Sequence, residues 1–149
     1  MRFELLQQDD KSRLGKLQFL RGEIQTPVFM PVGTYGTVKT MTPDDLESLG
    51  AEIILSNTYH LMIRPGEEVI SSHQGLHNFM AWDRPILTDS GGYQIWSLSK
   101  KRTINDDFVE FDSPVNGDMI RLTPEIAMRI QKNLGSDIQM VLDECTHYP

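Results

Sequence analysis

Hydrophobic and polar positions divide the chain into two parts with different patterns. In the first part, the runs Phe3–Gln7 and Leu14–Leu20 and a third piece around Ile24 are separated by polar or glycine-containing turns. Short apolar runs between turn residues are typical of antiparallel strands. The pattern therefore predicts a small N-terminal antiparallel sheet over residues 1–25.

From residue 26 onward, short apolar runs alternate with helical segments. A short apolar run bounded by turn residues is typical of a buried strand. Strands that alternate with helices predict right-handed βαβ units and a parallel sheet. The runs that we interpret as parallel strands are Val28–Val32, Ile53–Leu55, Ile86–Thr88 and Ile138–Leu142.

Helix signals separate these runs. The segments Thr42–Gly50 and Thr123–Gly135 each begin with Thr-Pro and end with glycine, which is the pattern of an N-cap, a first turn and a stop. Another helical stretch starts near Gly66, with Val69 and Ile70 as its apolar positions. Between residues 103 and 122, an Asn-Gly pair predicts a hairpin.

The number of strands limits the choice of architecture. A complete (β/α)8 barrel needs roughly 250 residues, whereas this chain has 149 residues and about four parallel strands. We therefore favour an α/β fold in which residues 26–149 form the first four βα units of a TIM barrel, as a single incomplete domain. The alternative is a complete small open α/β sheet, whose last strand would lack a covering helix. Half a barrel would leave unpaired strand edges, which favours pairing with another copy.

Composition narrows the class of protein. The hydrophobic content of 39% is ordinary for a globular protein, and no apolar run approaches the ~20 residues that span a bilayer. The single cysteine, Cys145, suits a reducing cytoplasm and excludes a cysteine-rich zinc site within this chain. A formal net charge of -7 argues against a dedicated nucleic-acid-binding module. We interpret the one basic cluster, Lys100–Arg102, as a solvated loop.

Polar residues follow all four predicted strands. In a parallel sheet the carboxyl ends of the strands share one rim, so that residues distant in sequence can converge on one pocket. The most informative of these segments is Ile86–Gln94, in which a buried strand breaks into Asp-Ser-Gly-Gly-Tyr. The polar residues at the four strand ends are Thr34, then Asn57 and His60, then Asp89 and Ser90, then Asp143 and Cys145.

This set suggests a pocket for a flat, hydrogen-bonding ring. Of two carboxylates in one cleft, one can titrate while the other holds a ligand, and a carboxylate accepts two N–H bonds from a guanine edge. Tyr93 offers a stacking face, and the two glycines allow the backbone to approach the ligand closely. Other roles stay open: Asp89 or Asp143 as a backbone cap, Tyr93 as a core residue, and His60 or Cys145 as a structural residue.

Four long segments of the chain closely resemble the tRNA-guanine transglycosylase family, also called queuine tRNA-ribosyltransferases. The resemblance runs essentially from end to end, and family members are more than twice as long, so the chain resembles their N-terminal part. The matching segments are Thr26–Thr34, Ser56–Gly66, Trp82–Gln94, and Leu134–Ile138 with Asp143–Cys145.

The resemblance implies a TIM barrel whose bottom is capped by the small antiparallel sheet. It also implies an enzyme, a pentosyltransferase that exchanges guanine at the tRNA wobble position for a 7-deazaguanine on the way to queuosine. Its partners would be tRNA, the free base and a second copy in a homodimer, with no membrane. By analogy with retaining glycosidases, an aspartate attacks the ribose C1′ and forms a covalent intermediate.

Carried over residue by residue, the resemblance assigns roles at the matching positions. Asp89 is the general acid/base that handles the protons of the departing and incoming bases, and Asp143 binds the polar edge of the base. Ser90, Gly91, Gly92 and Tyr93 form the base pocket, Cys145 lies near it, and Asn57 and His60 lie beside the ribose.

Two parts of the family pattern do not map onto this chain. The nucleophilic aspartate and a zinc site of three cysteines and one histidine both belong to the C-terminal half of the family members. We therefore expect no cofactor in this chain, zinc in the half that it does not contain, and no activity from the 149 residues alone. The alternatives are a catalytically inactive subunit that binds the base, and an unrelated small α/β domain.

Overall fold

The computed structural model describes residues 1–99 and 101–146. These residues form nine strands and six helices, several of them short. In chain order they are β1 (Arg2–Asp9), β2 (Ser12–Phe19), β3 (Gly22–Thr26), α1 (Pro43–Ser48), β4 (Ile54–Ser56), α2 (Thr58–Ile63), α3 (Glu67–Ser72), α4 (Leu76–Met80), β5 (Ile86–Thr88), α5 (Gly92–Leu98), β6 (Arg102–Ile104), β7 (Val109–Asp112), β8 (Met119–Leu122), α6 (Pro124–Leu134) and β9 (Ile138–Gln139).

The N-terminal part is a three-stranded antiparallel sheet in the order β1-β2-β3, as the sequence predicts. Every residue of β1 is exposed, including Phe3 and Leu5, whereas Ile24 of β3 is buried. The sheet therefore attaches to the rest of the described chain through β3 and leaves β1 as an open edge.

The central sheet is parallel, with the order β4-β5-β9. A single parallel bridge joins Val32 to Leu55 on the far side of β4. The parallel strands thus lie side by side in the order in which they occur along the chain, which agrees with successive βα units.

Two of the predicted strands are shorter than expected. The run Val28–Val32 forms only the bridge at Val32, because Pro27 and Pro31 have no N–H to give to a ladder. The last strand ends at Gln139 instead of Leu142. Beyond that point the backbone of Met140 bonds to a helix side chain as well as to β5.

The helix signals in the sequence are confirmed at α1 and α6. Thr42 caps α1 with a complete capping box, Thr123 accepts from the Ile126 N–H at the start of α6, and Gly135 ends α6 in the left-handed conformation. Helix α3 begins where expected, but its Val69 is exposed while Ile70 is fully buried. Helices α2 and α5, which begin immediately after the polar strand ends, were not predicted from the sequence.

The predicted hairpin is part of a three-stranded antiparallel sheet in the order β6-β7-β8. Gly117 makes the turn between β7 and β8 with a positive φ of 77°. Phe111 and Leu122 of this sheet join a core that lies among α2, α3, α5, α6 and the central sheet. None of the helices in the described part of the chain is long and apolar enough to cross a membrane.

A buried histidine and an aspartate connect α4 to the central sheet. The Nε2 atom of His77 lies 3.0 Å from Oδ2 of Asp137, and the same oxygen accepts from the Ile86 N–H at 2.9 Å. The His77 side chain is 2% exposed and that of Asp137 is 15% exposed. Burial raises the pKa of the Asp137 carboxyl, but the hydrogen bonds from His77 and Ile86 outweigh it, so that the pKa lies below its ordinary value of 3.8.

Replacing Asp137 by asparagine is expected to reduce the loss of stability in acid. A carboxyl whose pKa is lower in the folded state stabilises the fold above its unfolded-state pKa, and this contribution is lost as the pH falls through the folded-state pKa. The unaltered chain should therefore lose more free energy of unfolding below about pH 4 than Asp137→Asn, as measured by urea denaturation at several pH values. The control is Asp112→Asn, at an exposed carboxyl. Equal pH slopes for Asp137→Asn and the unaltered chain would contradict the prediction.

Candidate functional site

The Asp89 carboxylate is held by three donors from two elements. Its Oδ1 accepts from the Thr58 backbone N–H at 2.8 Å, and its Oδ2 accepts from the side-chain amides of Asn57 at 2.5 Å and Gln94 at 2.9 Å. The Thr58 hydroxyl also donates to the Asp89 carbonyl oxygen at 2.6 Å. Both carboxyl oxygens of Asp89 therefore act as hydrogen-bond acceptors.

These contacts follow from the pairing of β4 with β5. Ser56 pairs with Thr88, and the Asp89 N–H continues the ladder by donating to the Ser56 carbonyl at 3.1 Å. The residues that follow each strand are therefore neighbours. Because α2 begins at Thr58, the backbone N–H of that residue is free to point at an anion.

Ser90 joins this rim to the end of the last strand. Its hydroxyl donates to Oδ1 of Asp143 and accepts from the Asp143 N–H at 3.2 Å and the Gly92 N–H at 3.3 Å. Ser90 is 2% exposed. The structure thus places Asp143 against Ser90, the residue that directly follows Asp89, although 53 residues separate Ser90 from Asp143 in the chain.

Gly91 and Gly92, between Ser90 and Tyr93, both lie so close to neighbouring atoms that a side chain would not fit. Gly91 is the N-cap of α5 with φ 87°, and a Cβ there would lie 3.1 Å from the Tyr59 backbone nitrogen. A Cβ on Gly92 would overlap the Asp143 carbonyl oxygen and lie 2.6 Å from Oδ1 of Asp143. Because no side chain is present, α5 can begin directly against the Asp143 backbone.

Tyr93 is a surface residue in this structure, since its side chain is 55% exposed. Its ring lies 6.0 Å from the ring of Trp96, one helical turn further along α5, at an angle of 37°. The alternative prediction, that Tyr93 is a core residue, is therefore wrong. One face of an aromatic ring is available to a ligand at the start of α5.

His60 is packed among aromatic rings. Its ring lies 4.8 Å from that of Tyr35 and 5.1 Å from that of Tyr59. Burial lowers the pKa of the imidazole, and the negative charge of Asp89 partly opposes this effect. His60 thus lies on the side of the rim formed by α2, close enough to Asp89 for the negative charge of Asp89 to affect the pKa of the imidazole.

A cavity of about 240 Å³ adjoins the rim on the side of α5. Gly92, Asp143 and Cys145 lie on its wall together with Trp96 and Phe108, whereas Asp89, Ser90 and Tyr93 are not among its lining residues. The cavity therefore reaches only the Asp143 side of the predicted pocket. Cys145 is partly buried there and is a free thiol.

The structure brings together most of the residues predicted at the strand ends. Asn57, Asp89, Ser90, Gly92 and Asp143 form one hydrogen-bonded or touching set. In the described part of the chain, Thr34 takes no part in the hydrogen bonds of this set.

Sequence reasoning missed two donors to Asp89, namely Thr58 and Gln94. Gln94 is the last residue of the Asp-Ser-Gly-Gly-Tyr-Gln segment. Its position in the first turn of the helix that follows the glycine pair was the signal that could have predicted this contact with Asp89.

The basic cluster is only partly described, because Lys100 lies outside the described residues. The Arg102 guanidinium donates to the Ser99 carbonyl at 2.7 Å and lies 5.9 Å from the centre of the Trp96 ring. Among residues 1–99 and 101–146, no group of three or more His, Cys, Asp or Glu side chains could hold a metal ion.

Comparison with known proteins identifies the family. The family model described as queuine tRNA-ribosyltransferase matches residues 9–149. Proteins named queuine tRNA-ribosyltransferase from Thioalkalivibrio sulfidiphilus and Pseudoalteromonas translucida are each 60% identical to the whole chain, and one from Francisella tularensis subsp. novicida is 56% identical. The chain spans 40–41% of the length of these relatives. The chain therefore belongs to the queuine tRNA-ribosyltransferase family.

Proposed function

We propose that this chain carries the purine site and the general acid/base of a tRNA-guanine transglycosylase, which exchanges guanine at the wobble position for a 7-deazaguanine. The proposal rests on the contact of Ser90 with Asp143. This contact lies directly beside the Asp89 carboxylate, which protein donors hold in place. This arrangement provides two carboxylates on one rim, one fixed by protein donors and one with an oxygen available to a ligand. The relatives' name supports the reaction class.

The proposed site recognises the base by hydrogen bonds and stacking. Oδ1 of Asp143 accepts from Ser90, which leaves Oδ2 to accept an N–H from the polar edge of a guanine. The exposed ring of Tyr93 offers a stacking face. The missing side chain of Gly92 lets Asp143 lie against the start of α5, beside that ring. The target nucleotide has to leave its stack to reach such a site.

Asp89 is proposed to move the protons that base exchange requires. When the bond between ribose and guanine breaks, the departing base gains a proton, and the incoming base loses its N9 proton as it bonds to C1′. A carboxylate fixed by Asn57, Thr58 and Gln94 does not need to reorganise before it accepts or returns that proton. A nucleophilic aspartate outside this chain is proposed to hold the ribose between the two steps.

The fold, the partners and the metal form part of the same proposal. The sequential order of the parallel strands and the exposed Met140 and Val141 beyond β9 support a half barrel that further βα units complete. We propose tRNA and a free purine as ligands, and a homodimer as the assembled form. In the described part of the chain, no group of three or more His, Cys, Asp or Glu side chains could hold a metal ion. The proposal places zinc in the further chain and assigns it no step here.

The test compares the 149-residue chain with a hybrid protein. In the hybrid, these 149 residues replace the matching N-terminal 40% of the Thioalkalivibrio sulfidiphilus relative. We expect the hybrid to incorporate labelled guanine into tRNA and the chain alone to incorporate none, because the nucleophile is missing. Turnover by the chain alone would contradict our placement of the nucleophile. A folded but inactive hybrid would favour the role of an inactive subunit that binds the base.

A further inference from the structure

Gln131 on α6 is a fully buried polar side chain whose bonds all lie inside the protein. It is 0% exposed. Its Oε1 accepts from the Met140 N–H at 2.9 Å and from the Thr88 hydroxyl at 2.9 Å, and its Nε2 donates to the Met140 carbonyl at 2.8 Å. A buried carboxamide with these three bonds stabilises a particular backbone path, since its own oxygen and nitrogen would otherwise remain unsatisfied.

The carboxamide replaces a neighbouring strand at Met140. An amide side chain that accepts from a residue's N–H and donates to the same residue's carbonyl makes the two bonds that a paired peptide would make. The ladder of β9 with β5 ends at Gln139, and Met140 is the next residue, whose N–H also reaches the Thr88 carbonyl at 3.2 Å. Gln131 thus binds both backbone polar groups of the first residue after the strand.

The same side chain is linked indirectly to both carboxylates of the purine site, through short stretches of backbone. Met140 lies three residues before Asp143, and Thr88 directly precedes Asp89. The Thr88 hydroxyl also lies 2.6 Å from the Ser136 hydroxyl, in the turn between α6 and β9. One buried group therefore ties the end of β5 to the segment that brings Asp143 against Ser90.

We infer that Gln131 is a positioning residue of the purine site, which holds the segment after Met140 so that Asp143 meets Ser90 and Gly92. The inference rests on the proposed function for its link to purine binding, but the position of Asp143 can be measured independently. Gln131 touches neither carboxylate and acts only through Met140 and Thr88.

The test uses Gln131→Met in the 149-residue chain, because methionine has a similar volume and makes neither bond to Met140. The matched control is Ile130→Val, at a buried neighbour on α6 that weakens packing without touching Met140. Two readouts are needed: the nuclear Overhauser contact between Gly92 and Asp143, and the affinity for labelled guanine in equilibrium dialysis.

We expect Gln131→Met to lose the Gly92–Asp143 contact and to bind guanine at least about 10-fold more weakly, whereas Ile130→Val keeps both. An unchanged Gly92–Asp143 contact in folded Gln131→Met would overturn the inference. Loss of that contact in a chain whose unaltered form binds no guanine would support the positioning role and contradict the proposed purine site.

A second variant covers the case in which Gln131→Met does not fold. Gln131→Glu keeps the shape and the acceptor oxygen, and its protonated carboxyl can donate to Met140 in place of Nε2, whereas the ionised carboxylate cannot. Because burial raises the pKa of a carboxyl, we expect the contact between Gly92 and Asp143 to weaken only at about pH 9.5 and to return at pH 5. A contact that is the same at both pH values as in the unaltered chain would overturn the inference.

Discussion

Replacing Asp89 by asparagine in the hybrid protein is expected to slow guanine exchange by ~10²–10⁴-fold, the usual contribution of a general acid/base. Asparagine has nearly the same shape but cannot take up and return a proton. It also presents an NH₂ group to a site whose three contacts are all donors, from Thr58, Asn57 and Gln94. One of these donors would lose its acceptor.

The measurement has to separate chemistry from folding. Labelled guanine incorporation gives the rate, and urea denaturation of the same proteins gives the free energy of unfolding. Asp83→Asn, at an exposed carboxyl outside the site, is the matched control and should leave both values unchanged. Near-normal turnover by Asp89→Asn would leave Asp89 only the structural role of holding Asn57, Thr58 and Gln94.

Replacing Gly92 by alanine is expected to have the second large effect, through the backbone alone. The new Cβ would overlap the Asp143 carbonyl oxygen and lie 2.6 Å from its Oδ1, so that α5 and the Asp143 segment have to separate. A displacement of about 1 Å in a catalytic site can cost ~10²-fold in rate. Crowding of this kind also destabilises a fold by about 1–3 kcal/mol.

Guanine exchange by the hybrid and its thermal unfolding test this prediction. The control is Gly33→Ala, where the added Cβ would lie 3.2 Å from Cγ2 of Ile54 and 3.2 Å from the flexible Cε end of Met80, with no backbone atom in its way. We expect the control to retain most of its activity. Full activity in Gly92→Ala would mean that Asp143 does not need to lie against α5 for the reaction.

Local signals in the sequence were sufficient for the elements whose causes are local. The Thr-Pro starts of α1 and α6, the glycine end of α6 and the turn at Gly117 all appear as predicted. Each depends on hydrogen bonds or dihedral angles within a few residues, and these are encoded by the residues themselves.

The prediction of the first strand failed because Pro27 and Pro31 interrupt the ladder, and that of the last strand failed where a neighbouring element competes with the local pattern. The run before Val32 is apolar enough for a strand, yet only one bridge forms. The last run is apolar as far as Leu142, but β9 stops at Gln139 and a glutamine from α6 bonds to the next residue. No periodicity within either run carries this information.

The sequence by itself placed Asp89 directly after a buried strand and Asp143 after a run interpreted as a parallel strand, and it therefore predicted that both belong to one rim of a parallel sheet. Only the tertiary structure decided that Ser90 joins the two strand ends, and that Asn57, Thr58 and Gln94 surround Asp89. The physical reason is the distance along the chain between the residues that interact. Strand ends follow from the pattern of apolar residues along the chain, whereas the partner of a side chain 30 or 50 residues away depends on how helices and strands pack together.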